Sequence, residues 1–524
     1  MRRRVQPCRQ PASAFDAESN RSHGTRLVAL FLTPPGVVAL GAVLGACLFV
    51  APGVAWALLA ALLGVVCLTA PPYLWVIAAV LAAVLSRVVV STGFFPSLLN
   101  FFHFPLVLGA VLASLLSDGR RLRVSRPLAY GSVALLVVAL LSSLLNGGEL
   151  IRPLFTWLVF IEPFLLIYAV VRTPPPPTKS RLLWMSVVFL AIVQLPFGIW
   201  QLVTLGWADH VQGSFVGMGA GHHVAGAVAL VGALIAVARA LSMTRWTSFI
   251  GWLVVAVSLF LVPIFSDAKQ TVVAFLPALL AMPVMLNRAR FGKSMAAAFL
   301  MAPLIVAAFF YYAPLRAAVD WEVTVDGIGG KVEALHIIVH RGFEGPFHWI
   351  VGAGPGSSVS RVALMGLDGY LQSSSPVARL GLRPAALAEE ISAMTTSNWR
   401  FASSSAWSGI SSWLGLFGDL GLLGVAVYLW LCWTLWRSQR VQSTWMGSMG
   451  RAMLLMVGLL GAIYSWLEEP GFTLVVALAV AASILEAERA RVLQHDRVPS
   501  TRRLSVDSRA FSPAGGGVAP PQSI

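Results

Sequence analysis

The sequence predicts an all-α polytopic integral membrane protein of about fourteen transmembrane helices, with one long outward-facing loop that carries short helices. Three observations lead there. The first is composition: 57% of residues are hydrophobic, only 11% are charged, and the mean hydropathy is +0.79. A water-soluble domain cannot hide that much apolar surface. The second is that each apolar stretch is continuous rather than alternating, which favours helices over a barrel. The third is charge placement. Of the 37 Lys and Arg, 27 fall in every second loop: Arg2 to Arg26, Arg120 to Arg126, Arg172 to Arg181, Arg239 to Arg245, Arg288 to Lys293, Arg437 to Arg451 and Arg489 to Arg509. Positive loops stay cytoplasmic. Both termini are therefore expected inside, and the loop 314–407 outside.

In chain order, residues 1–26 read as a disordered inner tail rich in Arg, Ser and Gln. Arg2, Arg3 and Arg4 precede a polar stretch, and the first apolar run meets a second at Ala51-Pro52, so no cleavable signal is expected. Eleven spans fill 27–313, at 35–51, 53–69, 73–90, 101–117, 128–145, 153–171, 182–204, 223–238, 248–265, 270–286 and 295–313. Pro174 to Pro177 form a stiff inner linker. Three further spans, at 409–436, 452–467 and 471–486, fill 408–486. Residues 487–524 read as a second inner tail, ending in Gly515 to Gly517 and Pro520-Pro521.

The net charge of +15 does not point to nucleic acid, because the 314–407 loop holds seven basic and eight acidic residues. The excess lies in inner loops and tails, where orientation and anionic lipid account for it. Cys47, Cys67 and Cys432 lie in apolar spans and Cys8 in the tail, so no disulfide framework is expected. Four Lys against 33 Arg, with abundant Ala, Gly, Val and Leu, suggests a high-GC bacterial genome. The sequence has no Walker A motif, and Gly352 to Gly356 is not a dinucleotide fingerprint. No cofactor is expected.

A loop of this length is expected to be functional. Gly330 to Phe343 reads as an amphipathic helix, with Val332, Leu335, Ile338 and Val339 on its apolar face. Val351 to Ser357 reads as a glycine turn, where Gly352, Gly354 and Gly356 let backbone approach a ligand. Residues 370–405 are rich in Ser and Ala and end near Arg400.

Several residues are candidates for chemistry. Lys269, in Ser266-Asp267-Ala268-Lys269, lies at a span boundary in a chain that otherwise uses Arg. It is either functional, as ionisable residues at membrane depth tend to be, or an interfacial lysine paired with Asp267. His222 and His223 close the glycine-rich segment that begins at Gln212. They either take a proton or bind an anion, or they cap the next helix. His336 and His340 stand four residues apart with Arg341 beside them, a spacing that suits a metal. There is no HExxH, and Glu333 and Glu344 supply no placed third ligand, so anion contact is the better reading and no metal is expected. Lys331, Arg316, Arg361, Arg379, Arg383 and Arg400 are the loop's other cations. Guanidinium forks match phosphate oxygens, and Arg400, near the membrane, is preferred. Glu162 inside a span is either a relay carboxyl or a structural one.

The order of these features resembles the O-antigen ligase and polymerase superfamily of bacterial polysaccharide assembly, over roughly 205–430. Gln212-Gly-Ser-Phe215 resembles its R-x-x-G-x-F approach to a helix, and Ser266 to Lys269 its S-R element. Lys331 to Ser357 resembles the basic helix and glycine turn that open its loop. Asp419 to Gly424 resembles its E-x-G-x-x-G helix. Three departures stand out. Lys269 replaces the S-R arginine, and Gln212 replaces an earlier arginine. Ser403 to Ser412 lacks the usual histidine, which favours polymerase over ligase.

The resemblance implies glycosyl transfer without metal or nucleotide. An acceptor hydroxyl attacks the anomeric carbon of a polyprenyl-diphosphate-linked oligosaccharide, and the lipid diphosphate leaves. Lys269 and Arg400, with Lys331 or Arg341, would clamp the diphosphate, and Asp267 lies beside them. The proton would go to one of His222, His223, His336 and His340. The implied setting is a bacterial inner membrane with the loop in the periplasm. Other partners would be the bilayer and the flippase and chain-length or export proteins of the same pathway. The alternatives are an O-antigen ligase, a flippase or other transporter, and a non-catalytic assembly partner. The single long loop and the lack of a two-half repeat speak against a transporter.

Overall fold

A computed structural model describes residues 70–94, 97–117, 121–148, 150–206, 210–217, 220–285, 321–365, 367, 385–397, 410–439 and 444–497. Among these there is no strand, and ten helices are long and apolar enough to cross a membrane. The chain is thus a multi-pass, all-α membrane protein. The expected spans at 35–51, 53–69 and 295–313 lie outside the described residues, as do most of the two tails.

The spanning helices are α1 (Pro72–Ser91), α2 (His103–Leu116, extended upstream by a 3-10 turn), α3 (Ser125–Leu145), α4 (Ile151–Arg172), α5 (Arg181–Leu205), α6 (Gly221–Ser242) and α7 (Trp246–Phe265). A shorter apolar helix, α8 (Lys269–Val284), follows. In the long loop region between α8 and Ser412 lie α9 (Trp321–Ile337), α10 (Pro346–Val351), α11 (Arg361–Met365) and α12 (Ala386–Ser397). The chain then crosses through α13 (Ser412–Ser438), α14 (Trp445–Ile463) and α15 (Pro470–Arg497).

Burial separates a centre from a periphery. The share of buried residues is 94% in α6, 89% in α15 and 78% in α4, against 28% in α2 and α7. Composition explains this. Lipid tails are as apolar as leucine, so helices associate where small residues let backbones close in. Ala, Gly and Val make up 14 of the 22 residues of α6: a methyl added at Gly226 would meet Ala268 and Pro263 at 2.8 and 3.1 Å, and one at Gly232 would strike Ala191. The peripheral helices instead turn leucines, valines and aromatics outward, among them Leu112, Val137, Phe189 and Trp200.

Two boundaries differ from expectation. α14 starts at Trp445, with Thr444 accepting from Gly447 N–H at 3.2 Å, because a good N-cap outweighs the polarity of Gly447 and Ser448. α15 continues to Arg497 through residues assigned above to the tail, because Leu485-Glu-Ala-Glu-Arg-Ala-Arg491 is made of strong helix formers.

Candidate functional site

The site begins with a broken helix. α13 carries Gly421 at φ 64° and ψ −166°, a conformation open to glycine only. The break frees carbonyls that a continuous helix would use internally, and each finds a partner. Ala353 N–H donates to Gly418 O at 2.7 Å, and the Ser142 hydroxyl donates to Asp419 O at 3.0 Å. The Asp419 carboxylate receives Gly356 N–H at 2.7 Å, Ser357 N–H at 3.1 Å, Ser358 N–H at 2.9 Å and the Ser358 hydroxyl at 2.7 Å. The glycine turn of the long loop is therefore bolted into the break. Gly352, at φ 82°, leaves no room for a methyl, which would run into the Asp419 backbone.

Beside the turn is an open pocket of about 250 Å³. Ser143, Asn146 and Arg152, from the ends of α3 and α4, line one side; Gly354, Pro355 and Ser357 line the other. Asn146 ties the two sides together by donating to Gly352 O at 3.2 Å.

The turn leads into Arg361, which joins the loop to a buried ionic cluster. Its backbone N–H donates to Glu468 at 2.5 Å, and its guanidinium donates to Glu468 O at 3.0 Å and pairs with Glu469. Arg87 lies 4.0 Å from the same Glu469 oxygen. Deeper, His103 Nδ1 lies 2.6 Å from Glu162 Oε1, and Glu162 feels the charges of Arg361 and Glu469. All four acids involved, Glu162, Asp419, Glu468 and Glu469, are at most 2% exposed. Burial pushes the Glu468 carboxyl well above the usual range. Burial also works against a charge on Glu469, but Arg361 and Arg87 overcome it and hold that carboxyl below its usual range.

The histidine pair borders this cluster. His222 and His223 are buried with ring centres 3.8 Å apart, and His223 lies 5.1 Å from Tyr464 and 6.2 Å from Trp466, just before Glu468. Phe215 packs on Gly471, just after Glu469. The Gln212–Phe215 segment is fixed from α5: Gln201 holds both polar backbone groups of Gly213, at 2.7 and 2.9 Å, and Gln194 receives Ser214 N–H at 2.9 Å. The Ser266–Lys269 element belongs to the same neighbourhood through the contact of Ala268 with Gly226, one turn along α6 from the histidines. Asp267 sits there at φ 52° in a tight turn, and Lys269 opens α8.

The other expected residues stand elsewhere. His336 and His340 are exposed, with ring centres 4.2 Å apart across the start of a π-helical turn. Arg341 is exposed and pairs with Glu390 of α12 at 2.5 Å. Lys331 lies on α9, where burial lowers its ammonium to about 8. The face that α9 and its π-turn bury is Ala334, Ile337 and Ile338, while Val332 and Leu335 point outward; packing against α12 and α13 decides the face, not residue size. Arg400 lies outside the described residues. No group of three potential metal ligands occurs among the described residues.

Sequence reasoning passed over Arg87, His103, Glu468 and Glu469, and named Arg361 only as one of the loop's cations, behind Arg400. A signal existed: Arg87 falls inside an apolar span, and Glu468-Glu469 sits in a very short connection between two others. Compared with known proteins, the chain matches no family model and no curated protein.

Proposed function

We propose that this chain is a membrane glycosyltransferase that polymerises lipid-linked oligosaccharide units at the outer face of a bacterial inner membrane. One observation carries the reading: the outer loop and the ionisable residues of the bundle form a single unit, with the glycine turn seated on Asp419 and Arg361 seated on Glu468 and Glu469. A lipid-linked donor places its diphosphate at this boundary, where low dielectric strengthens every fixed charge and dipole. The acceptor hydroxyl attacks the anomeric carbon, the carbon–oxygen bond to the diphosphate breaks, and the diphosphate leaves with the electron pair. The hydroxyl proton passes to a nearby base, for which His222 and His223, bordering the cluster, are the candidates. In this reading Lys269, at the start of α8, supplies positive charge to the departing diphosphate. No cofactor enters this scheme.

The reading is tested in a deletion strain by sizing surface and lipid-linked glycans and labelling the outer leaflet. Single repeat units accumulating outside support a polymerase. Full-length chains left on lipid support a ligase instead, and an unchanged glycan profile overturns the reading. Lys269→Ala should abolish polymer at unchanged protein level; normal polymer would remove Lys269 from the mechanism.

A transporter of lipid-linked sugars is the second reading. The His103–Glu162 pair favours it, because ionisable pairs inside spans mark ion and proton paths. Units trapped on the inner leaflet in the deletion strain would establish it.

A further inference from the structure

We propose that the buried acids at the loop-bearing end form a proton-binding site, and that Glu468 holds its proton. Four carboxyl groups, Glu162, Asp419, Glu468 and Glu469, are buried within one connected cluster. Two guanidiniums face them, Arg87 and Arg361, and both stay charged at any ordinary pH. His103 adds a third positive charge when protonated. Even then, one carboxylate among the described groups has no counter-charge. An uncompensated charge in such a place is costly, and a carboxyl escapes the cost by binding a proton.

The hydrogen bonds identify which one. Asp419 has four donors on its two oxygens. Glu469 has the Arg361 guanidinium, Arg87 and the Gly471 N–H at 3.3 Å. Glu162 has His103. Glu468 accepts one backbone N–H on Oε2, while its Oε1 has no hydrogen-bond partner among the described residues. The Ser412 hydroxyl nearby accepts from Leu467 N–H at 2.9 Å. The remaining groups facing Glu468 are the Arg361 guanidinium, which already pairs with Glu469, the Ser412 hydroxyl, Asp419, whose charge opposes a second negative charge, and the Tyr428 phenol on α13. A proton on Glu468 removes the one negative charge left in excess once the Arg361 guanidinium is paired with Glu469. The direction of its titration, set above by burial, agrees.

This site goes beyond the proposed glycosyl transfer and does not depend on it, since the balance holds for any substrate. The test is infrared spectroscopy of the full chain in phosphatidylcholine nanodiscs at neutral pH. A protonated-carboxyl band is expected. It should shift with isotope-labelled glutamate and not with labelled aspartate, vanish in Glu468→Gln, and persist in Glu162→Gln. Absence of the band, its shift with labelled aspartate, or its loss in Glu162→Gln would each overturn the assignment. If Glu468→Gln fails to fold, the two labels with Glu162→Gln and Glu469→Gln still decide it: a glutamate band that persists in both variants supports Glu468, and its loss in either overturns the assignment.

Discussion

Arginine does different work at the two ends of this bundle. At the end away from the loop, Arg239 lies over the Trp184 ring at 4.1 Å and pairs with Glu486 at 2.5 Å, both partly exposed. Arg172 donates to Ser114 O at 2.9 Å and Leu115 O at 3.3 Å, closing carbonyls left open where α2 ends. Arg451 does the same for Gln439 O at 2.9 Å. These cations finish helix ends that water also reaches. At the loop-bearing end, Arg361 and Arg87 instead neutralise acids that water does not reach. The difference teaches that position along the helix, rather than residue type, decides whether a charge is interchangeable.

The largest test of that contrast is Arg361→Met. Removing one partner of a buried ion pair costs about 3–5 kcal/mol, because it strands the other charge. Thermal unfolding in detergent should show that loss, and near-wild-type melting would mean the cluster is wet. Next comes Asp419→Ala, which leaves buried donors of the glycine turn unpaired at about 1–3 kcal/mol. Limited proteolysis should then cut within 351–360, and protection of that segment would show that other contacts hold the turn.

A pH scan sharpens the contrast further. The folded Glu469 carboxyl titrates below its unfolded value, so the unfolded state binds more protons on acidification. Its contribution is complete above the ordinary carboxylate range and is lost as pH falls through the lower folded value. Glu469→Gln should flatten the acid limb of melting temperature against pH; an unchanged limb would contradict the pairing. The smallest effect is expected at the other end. Arg239→Ala removes a partly exposed ring contact, worth about 0.5–2 kcal/mol, and melting should drop correspondingly little.

Much of the fold is legible in the sequence because spans are set by composition, and α1 to α7 begin and end within a few residues of the apolar runs. The glycine turn is legible too, since Gly352, Gly354 and Gly356 all take positive φ. The ionic cluster is not. Arg87, His103, Glu162, Arg361 and Glu469 come from separate parts of the chain, and no local pattern relates them. Their meaning arises only when helices distant in sequence close together. The same reason misplaced the buried face of α9: Val332 and Leu335 have the right spacing, but the neighbour that would cover them is not there in the described residues.

The cluster also dictates an order of assembly. A ribosome makes the glycine turn before it makes α13, so the broken helix meets a ready partner as it emerges. Arg361 has no such fortune: Glu468 and Glu469 lie in the final helical hairpin, formed by α14 and α15. Until that hairpin inserts, the guanidinium lacks both the Glu468 carbonyl and the Glu469 carboxylate, and the loop cannot settle. The last two helices thus serve as the closing step of biogenesis, and a chain interrupted before them carries an unmatched charge that quality control can recognise.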